Sequence, residues 1–202
     1  MVVRGLILAG GAGKRLGGVD KAALTVGGQS LLDLVARRLA PQVAGLSLST
    51  NADPARCAGF GGPVLGDPDL DQPQGTRLGP LAGLLAGLDW LDRVGGDYLA
   101  TVAVDTPFFP DDMVAQLLRA AGGAGAPAVA ESRGRLHPTC GLWPARLRDP
   151  LRATLVAGER RLGRWALAVG ALRVAFPVVA TDPFFNINTP EDLATAEAMV
   201  AR

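Results

Sequence analysis

Two apolar runs limit the folds open to this chain more than any other feature. Residues 2–8 ("VVRGLIL") and 98–104 ("YLATVAV") are short and nearly continuous in hydrophobic residues, with glycine or acidic positions at their borders. Strands of that kind are buried on both faces, which requires a parallel sheet with helices covering each side.

The intervening segments supply such helices. Ser30 begins one, with Asp33 three residues on as a short capping-box acid. Leu31, Leu34, Val35 and Leu39 share a face of it, and Pro41 ends it. Strands are predicted at 45–50 and 63–65. Pro80 is suited to the first helical position of a helix over 81–91. A helix over 110–121 has Asp111 and Asp112 at its positive end. The glycine-rich stretch 122–126 reads as a loop. Strands follow near Ala128 and at 140–143, then a helix over 146–156 and a strand over 172–178. Thr189, Pro190, Glu191 and Asp192 open a last helix that runs to the end. This alternation predicts an α/β fold, three-layered with a mostly parallel sheet, as one domain over 1–202.

Composition narrows the function. With 202 residues, 49% of them hydrophobic, and a net charge of +1, the chain can bury a sizeable core and has no basic stripe for nucleic acid. Cys57 and Cys140 form no disulfide framework and read as reduced and buried. No signal-peptide pattern or membrane-length apolar segment is visible, so a soluble, cytoplasmic protein is expected. One histidine, His137, argues against a zinc site, and the absence of G-x-S-x-G argues against an esterase-type triad. His137 itself reads as a hydrogen-bonded loop residue, and Trp90, Trp143 and Trp165 as packing residues. The chemistry is left to carboxylates, amides and basic side chains.

"LILAGGAGKRLGGVDK", residues 6–21, places five glycines with Lys14, Arg15 and Lys21 directly after the first strand. Ligands of parallel sheets sit at the carboxyl ends of strands, and glycines let backbone N–H groups approach an anion. The loop therefore suits a phosphate-bearing ligand, most simply a nucleotide; the alternative is a mobile surface turn. It is neither Walker A, since Leu8 and Arg15 stand where glycine and Ser/Thr are required, nor G-x-G-x-x-G, since Leu16 occupies the last glycine position.

Asp105 ends the 98–104 strand where it would emerge at that same edge. It suits either Mg²⁺ binding or a turn before Pro107. In "FFNINTPEDL" (184–193), Asn186 and Asn188 alternate and so point one way; they can bond a polar ligand or simply make a turn before the capped helix. Asn51 and Asp67 lie at expected strand ends. Arg160 and Arg161, in "GERRL", can bind an anion or be solvated.

The loop resembles the L-A-G-G-x-x-x-R-[ML]-G-x-x-D-K signature of the nucleotide-sugar-transferase-like nucleotidyltransferases. With "GPLAGL" (79–84), "VDTPFF" (104–109), "LHPTCGLW" (136–143), "AGERRL" (157–162) and "FFNINTPEDL", the chain resembles the molybdenum cofactor guanylyltransferase (MobA) family within that group over nearly its whole length. The resemblance implies a Rossmann-like sandwich that transfers GMP from GTP to the phosphate of molybdenum-bound molybdopterin, with Mg²⁺, releasing pyrophosphate. It implies molybdoenzymes or their chaperones as recipients of the product. It sets Leu8, Ala9, Gly10 and Gly11 against the nucleotide, Arg15 and Lys21 near its phosphates or base, Asp67 as a nucleotide contact and Asp105 on the magnesium. Asn186 and Asn188 become amides near the acceptor and reaction centre, and Arg160 or Arg161 an acceptor-side cation. Asn51 fits loosely, because the family often has N-x-N where this chain has Ser49-Thr50-Asn51. The segment between Asp67 and Gly79 is also longer than the family pattern. Rival readings are a cytidylyltransferase or another nucleotidyltransferase acting on a small phosphorylated acceptor, and a nucleotide-binding regulatory module.

Overall fold

The computed structural model describes residues 1–10, 12–13, 19–53, 57, 59–70, 78–122 and 125–200. Among these, seven strands form the central sheet: β1 (Val3–Leu8), β2 (Leu46–Ser49), β3 (Val64–Leu65), β4 (Tyr98–Ala103), β5 (Ala128–Ser132), β6 (Arg135–Pro144) and β7 (Leu172–Ala175). Their order is β3-β2-β1-β4-β6-β5-β7. β1 runs parallel to β2 and β4, β2 to β3, and β5 to β7, while β6 is antiparallel to both neighbours. The run at 98–104 is thus the middle strand of the sheet, as its unbroken hydrophobicity predicts.

Among the described residues, six α-helices cover the sheet: α1 (Leu31–Leu39), α2 (Pro80–Val94), α3 (Met113–Ala121), α4 (Arg148–Val156), α5 (Leu162–Ala168) and α6 (Pro190–Val200). Two separate cores make the three layers. Val3 and Ile7 of β1 face α1 and α3, whereas Leu6 and Leu8 face α2, α4 and α5. Ser30 caps α1 as predicted: its Oγ accepts the Asp33 N–H at 3.0 Å and donates to the Asp33 carboxylate at 2.6 Å. Among the described residues, no helix is long and apolar enough to cross a membrane.

Four local expectations are corrected. The helix expected at 110–121 begins only at Met113, because Asp111 is drawn to Arg38 of α1 at 3.0 Å and the Asp112 carboxylate binds the Gln116 side-chain amide instead of capping. The strand at 172–178 stops at Ala175, just before Pro177, which has no N–H to continue the ladder. β5 and β6 form a hairpin through Arg133 and Gly134, with φ of 48° and 73°. Two positive φ angles mark a type I′ turn, but arginine is an unusual first residue for one, so the sequence carried little signal. His137 accordingly lies in a strand, not a loop. The short helix α5 was not expected; Leu162, Trp165 and Ala166 bury its single apolar face.

Helix α2 lies close on the sheet because Gly87 has no side chain. A Cβ there would come within 2.6 Å of Leu6 and 2.7 Å of Leu99, both fully buried. Gly87→Val should therefore cost about 1–3 kcal/mol through overpacking, read as a lower midpoint of urea unfolding. An unchanged midpoint would mean that α2 can lift off without penalty.

Candidate active site

From β1 the chain builds β2 and β3 on one side, then returns to place β4 on the other. The carboxyl ends of β1 and β4 therefore part at a topological switch point, where sheets of this kind open a crevice. A cavity of about 200 Å³ lies there. Leu8, Ala9 and Gly10 line it from the end of β1, and Ala103, Val104 and Asp105 from the end of β4. Lys21, Pro80, Thr139 and Asn186 complete the wall.

Asp105 is the centre of a polar cluster. Lys21 Nζ donates to its Oδ2 at 2.8 Å and also to Asn188 Oδ1. Asn186 Nδ2 and Thr106 Oγ1 both lie 3.3 Å from Asp105 Oδ1. Between the amides, Ile187 turns the opposite way into the core, fully buried, and its N–H donates to the Asp105 carbonyl at 2.8 Å. The alternation read from "NIN" thus brings both amides to the Lys21–Asp105 pair, Asn186 on the carboxylate and Asn188 on the ammonium group. The Lys21 and Asp105 side chains are only 14% and 17% exposed. A pair so largely removed from water gains little net stability.

A second pair sits at the ends of β2 and β3. Asn51 Nδ2 donates to Asp67 Oδ2 at 2.7 Å, and the Asp67 N–H donates to Asn51 Oδ1 at 3.1 Å. Each holds the other, so Asn51 is a structural partner of Asp67 even without the N-x-N pattern.

Arg160 and Arg161 part company. Glu159 Oε1 accepts both of their backbone N–H groups at 2.9 Å, which holds the Glu159 carboxyl below its usual pKa and fixes the chain just before α5. Arg160 Nη1 donates to the carbonyls of Leu155 and Glu159, and its own carbonyl lies over Gly79 at the start of α2. Arg161 projects outward, 77% exposed. Among the described contacts, neither reaches Asp105.

The β1 edge offers less backbone than its glycines suggest. The Ala9 N–H is bonded to the Ser49 carbonyl and the Leu8 carbonyl accepts the Val104 N–H. Gly10 is different: a Cβ there would meet nothing within 4 Å, so the space on that side of the chain is open. Gly11, Lys14 and Arg15 lie outside the described residues.

The sequence reading missed Thr139, Thr106 and Pro80. Thr139 falls where the β5–β6 register shifts between His137 and Gly141, and such a bulge re-aims side chains toward a site. Only its place in "LHPTCGLW" could have indicated it. The three tryptophans are buried as expected, as are both cysteines. Burial pushes the Cys140 thiol up to about 12, with the Asp105 carboxylate adding to the shift. At pH 8 the native protein should leave Cys140 unlabelled by a thiol reagent and expose it on denaturation. Rapid native labelling would show that this wall of the site opens. The His137 pKa is lowered, chiefly by burial.

Residues 5–171 match the family described as "MobA-like NTP transferase domain". The chain belongs to this family. A protein of Cereibacter sphaeroides named molybdenum cofactor guanylyltransferase is 52% identical over 198 residues, covering 98% of this chain and 97% of that one. One of the same name from Rhodopseudomonas palustris (strain BisB5) is 46% identical, covering 98% and 93%. Among solved structures, molybdopterin-guanine dinucleotide biosynthesis protein A from Archaeoglobus fulgidus superposes with a TM-score of 0.74 at 21% identity, covering 98% of each chain. The 4-diphosphocytidyl-2C-methyl-D-erythritol synthase of Anaerococcus prevotii reaches the same score at 14% identity, covering 100% and 99%. At those identities the likeness is one of fold. Family membership thus rests on sequence, and the α/β sandwich with a mostly parallel sheet is the fold these proteins share.

Proposed function

We propose that this chain transfers GMP from GTP to the phosphate of molybdenum-bound molybdopterin, forming the guanine dinucleotide form of the cofactor and releasing pyrophosphate. The observation that carries the reading is the convergence of Asp105, Lys21, Asn186 and Asn188 at the switch-point cavity, in a chain whose relatives at up to 52% identity bear the guanylyltransferase name.

In this reading an oxygen of the acceptor phosphate attacks the α-phosphorus of GTP. The new O–P bond forms as the bond from the α-phosphorus to the bridging oxygen breaks, and pyrophosphate departs. A phosphate nucleophile is already ionised at neutral pH, so no general base is required. Lys21 and Arg15 offset the charge that gathers on the leaving group, and N–H groups of the loop around Gly10 add to them. Asn188 and Asn186 orient the acceptor. The Asp105 carboxylate is a hard oxygen donor of the kind Mg²⁺ takes, and it would hold the ion together with oxygens of the substrate phosphates. When bound, Mg²⁺ would draw charge from the phosphates during transfer.

Choice of base would fall to Asp67. Asn51 takes one of its carboxylate oxygens, and the other would accept from the N1–H and N2–H donors of guanine. Adenine and cytosine present no such pair; an acceptor covered by the base and left unpaired would cost about 1–3 kcal/mol, roughly a 5- to 150-fold preference for GTP. The test is pyrophosphate release on mixing the protein with Mg²⁺, the acceptor and GTP, CTP or ATP in turn. Release and dinucleotide formation with GTP are expected. No transfer with any nucleotide would leave a regulatory binding module, and a preference for CTP would assign the chain to cytidylyl transfer.

A further inference from the structure

A second polar cluster, which the transfer reaction leaves unused, lies at the β5–β6 hairpin. Ser132, 2% exposed at the end of β5, has its Oγ 2.8 and 2.9 Å from the two carboxylate oxygens of Asp182 and 2.7 Å from Nε2 of His137. A hydroxyl has one proton. With a carboxylate on one side, that proton goes to Asp182, and the His137 Nε2–H donates to the serine oxygen. The row therefore runs His137, Ser132, Asp182. In a hydrolytic triad the imidazole stands in the middle and takes the serine proton. Here the serine stands in the middle and its proton is committed to the carboxylate, so the row cannot act as one.

The row does connect to the candidate site. Asp182 Oδ1 also accepts the Phe184 N–H at 2.9 Å, and the Asp182 carbonyl accepts the Phe185 N–H at 3.1 Å. Phe184, 1% exposed, stacks on the His137 ring with centroids 4.8 Å apart and planes 24° apart. Asn186, Ile187 and Asn188 follow at once. At the far end the Asp192 carboxylate accepts the N–H groups of Asn188 and Thr189, both at 2.9 Å. The segment that carries the two amides is thus gripped at both ends. Asp192 holds one end from within its own helix. At the other, a buried row ties the segment to the β5–β6 hairpin.

We propose that His137, Ser132 and Asp182 are positioning residues that set Asn186 against Asp105 and Asn188 against Lys21, and so govern use of the phosphate acceptor rather than binding of the nucleotide. The proposal rests on the reading of the Asp105 cluster as the transfer centre. Ser132→Ala cuts the row. His137→Phe keeps a ring on Phe184 and removes the ring nitrogens and with them the N–H to Ser132, and His137→Gln returns an N–H of similar reach.

Ser132→Ala and His137→Phe should each lower kcat/KM for the acceptor by about tenfold while GTP affinity stays within about twofold. His137→Gln should recover most of that loss. Amide hydrogen exchange at residues 184–188 should quicken in the first two variants by about tenfold. Equal losses in GTP affinity and acceptor use would overturn the proposal, as would wild-type acceptor use with unchanged exchange at 184–188. If the wild type transfers no GMP, the reading of the site fails by itself. The exchange measurement then still decides whether the row holds the segment.

Discussion

Asp105→Asn should lower the rate of GMP transfer by about 100- to 1,000-fold, the range seen when one group that stabilises transition-state charge is removed. The substitution is nearly isosteric, and its amide keeps one oxygen for the donors that now meet the carboxylate. What is lost is the negative charge, at the point where Lys21 Nζ lies 2.8 Å away and where a divalent cation would be held. The fold should survive. Breaking a fully buried ion pair costs about 3–5 kcal/mol, but here both side chains keep some access to water and Lys21 retains Asn188, so less is expected. The measurement is turnover across a range of Mg²⁺ concentrations, with a urea melt as the control for folding. Near-normal turnover at ordinary Mg²⁺ would remove Asp105 from the mechanism.

The place of Asp105 was legible because two independent signals met on it. The hydrophobicity of 98–104 marked the middle strand, and in a parallel sheet the residue after such a strand emerges at the ligand edge. The alternation of Asn186 and Asn188 was legible for a similar reason: a period of two is a local property, and the fully buried Ile187 between them follows from it. The row at the hairpin was not legible. Ser132 and His137 are brought together by an Arg133–Gly134 turn with weak turn chemistry, and Asp182 reaches them across 50 residues of sequence. Neither spacing nor periodicity records such a contact. The division between Arg160 and Arg161 was hidden for another reason. Adjacent arginines look equivalent in sequence, and only the carbonyls left at the end of α4 decide that one turns inward. Asn51 shows the converse case. It fits the family pattern only loosely, yet its bond to Asp67 depends only on the two strand ends lying side by side.

Lys21→Met should also lower transfer by about 100-fold or more. Lys21 uses its ammonium group on two partners, Asp105 Oδ2 and Asn188 Oδ1, so it links the carboxylate to the Asn188 amide. Methionine keeps an unbranched side chain one atom shorter and removes the charge and both hydrogen bonds. Asn188→Ala removes one of those bonds from the other end, and should weaken acceptor use more than GTP binding. Because the two residues touch, their effects should not add. The double variant should be less impaired than the product of the single losses, with a coupling of about 0.5–3 kcal/mol. The measurement is a cycle of the wild type, the two single variants and the double, scored by kcat/KM for the acceptor and by the Kd for GTP. A coupling in the acceptor arm with little in the GTP arm is the expected result. Strict additivity would mean that Lys21 and Asn188 act on different steps, and that their contact does not persist when substrates are bound. A collapse of GTP affinity in Asn188→Ala, with acceptor binding unchanged, would instead move that amide to the nucleotide side of the cavity.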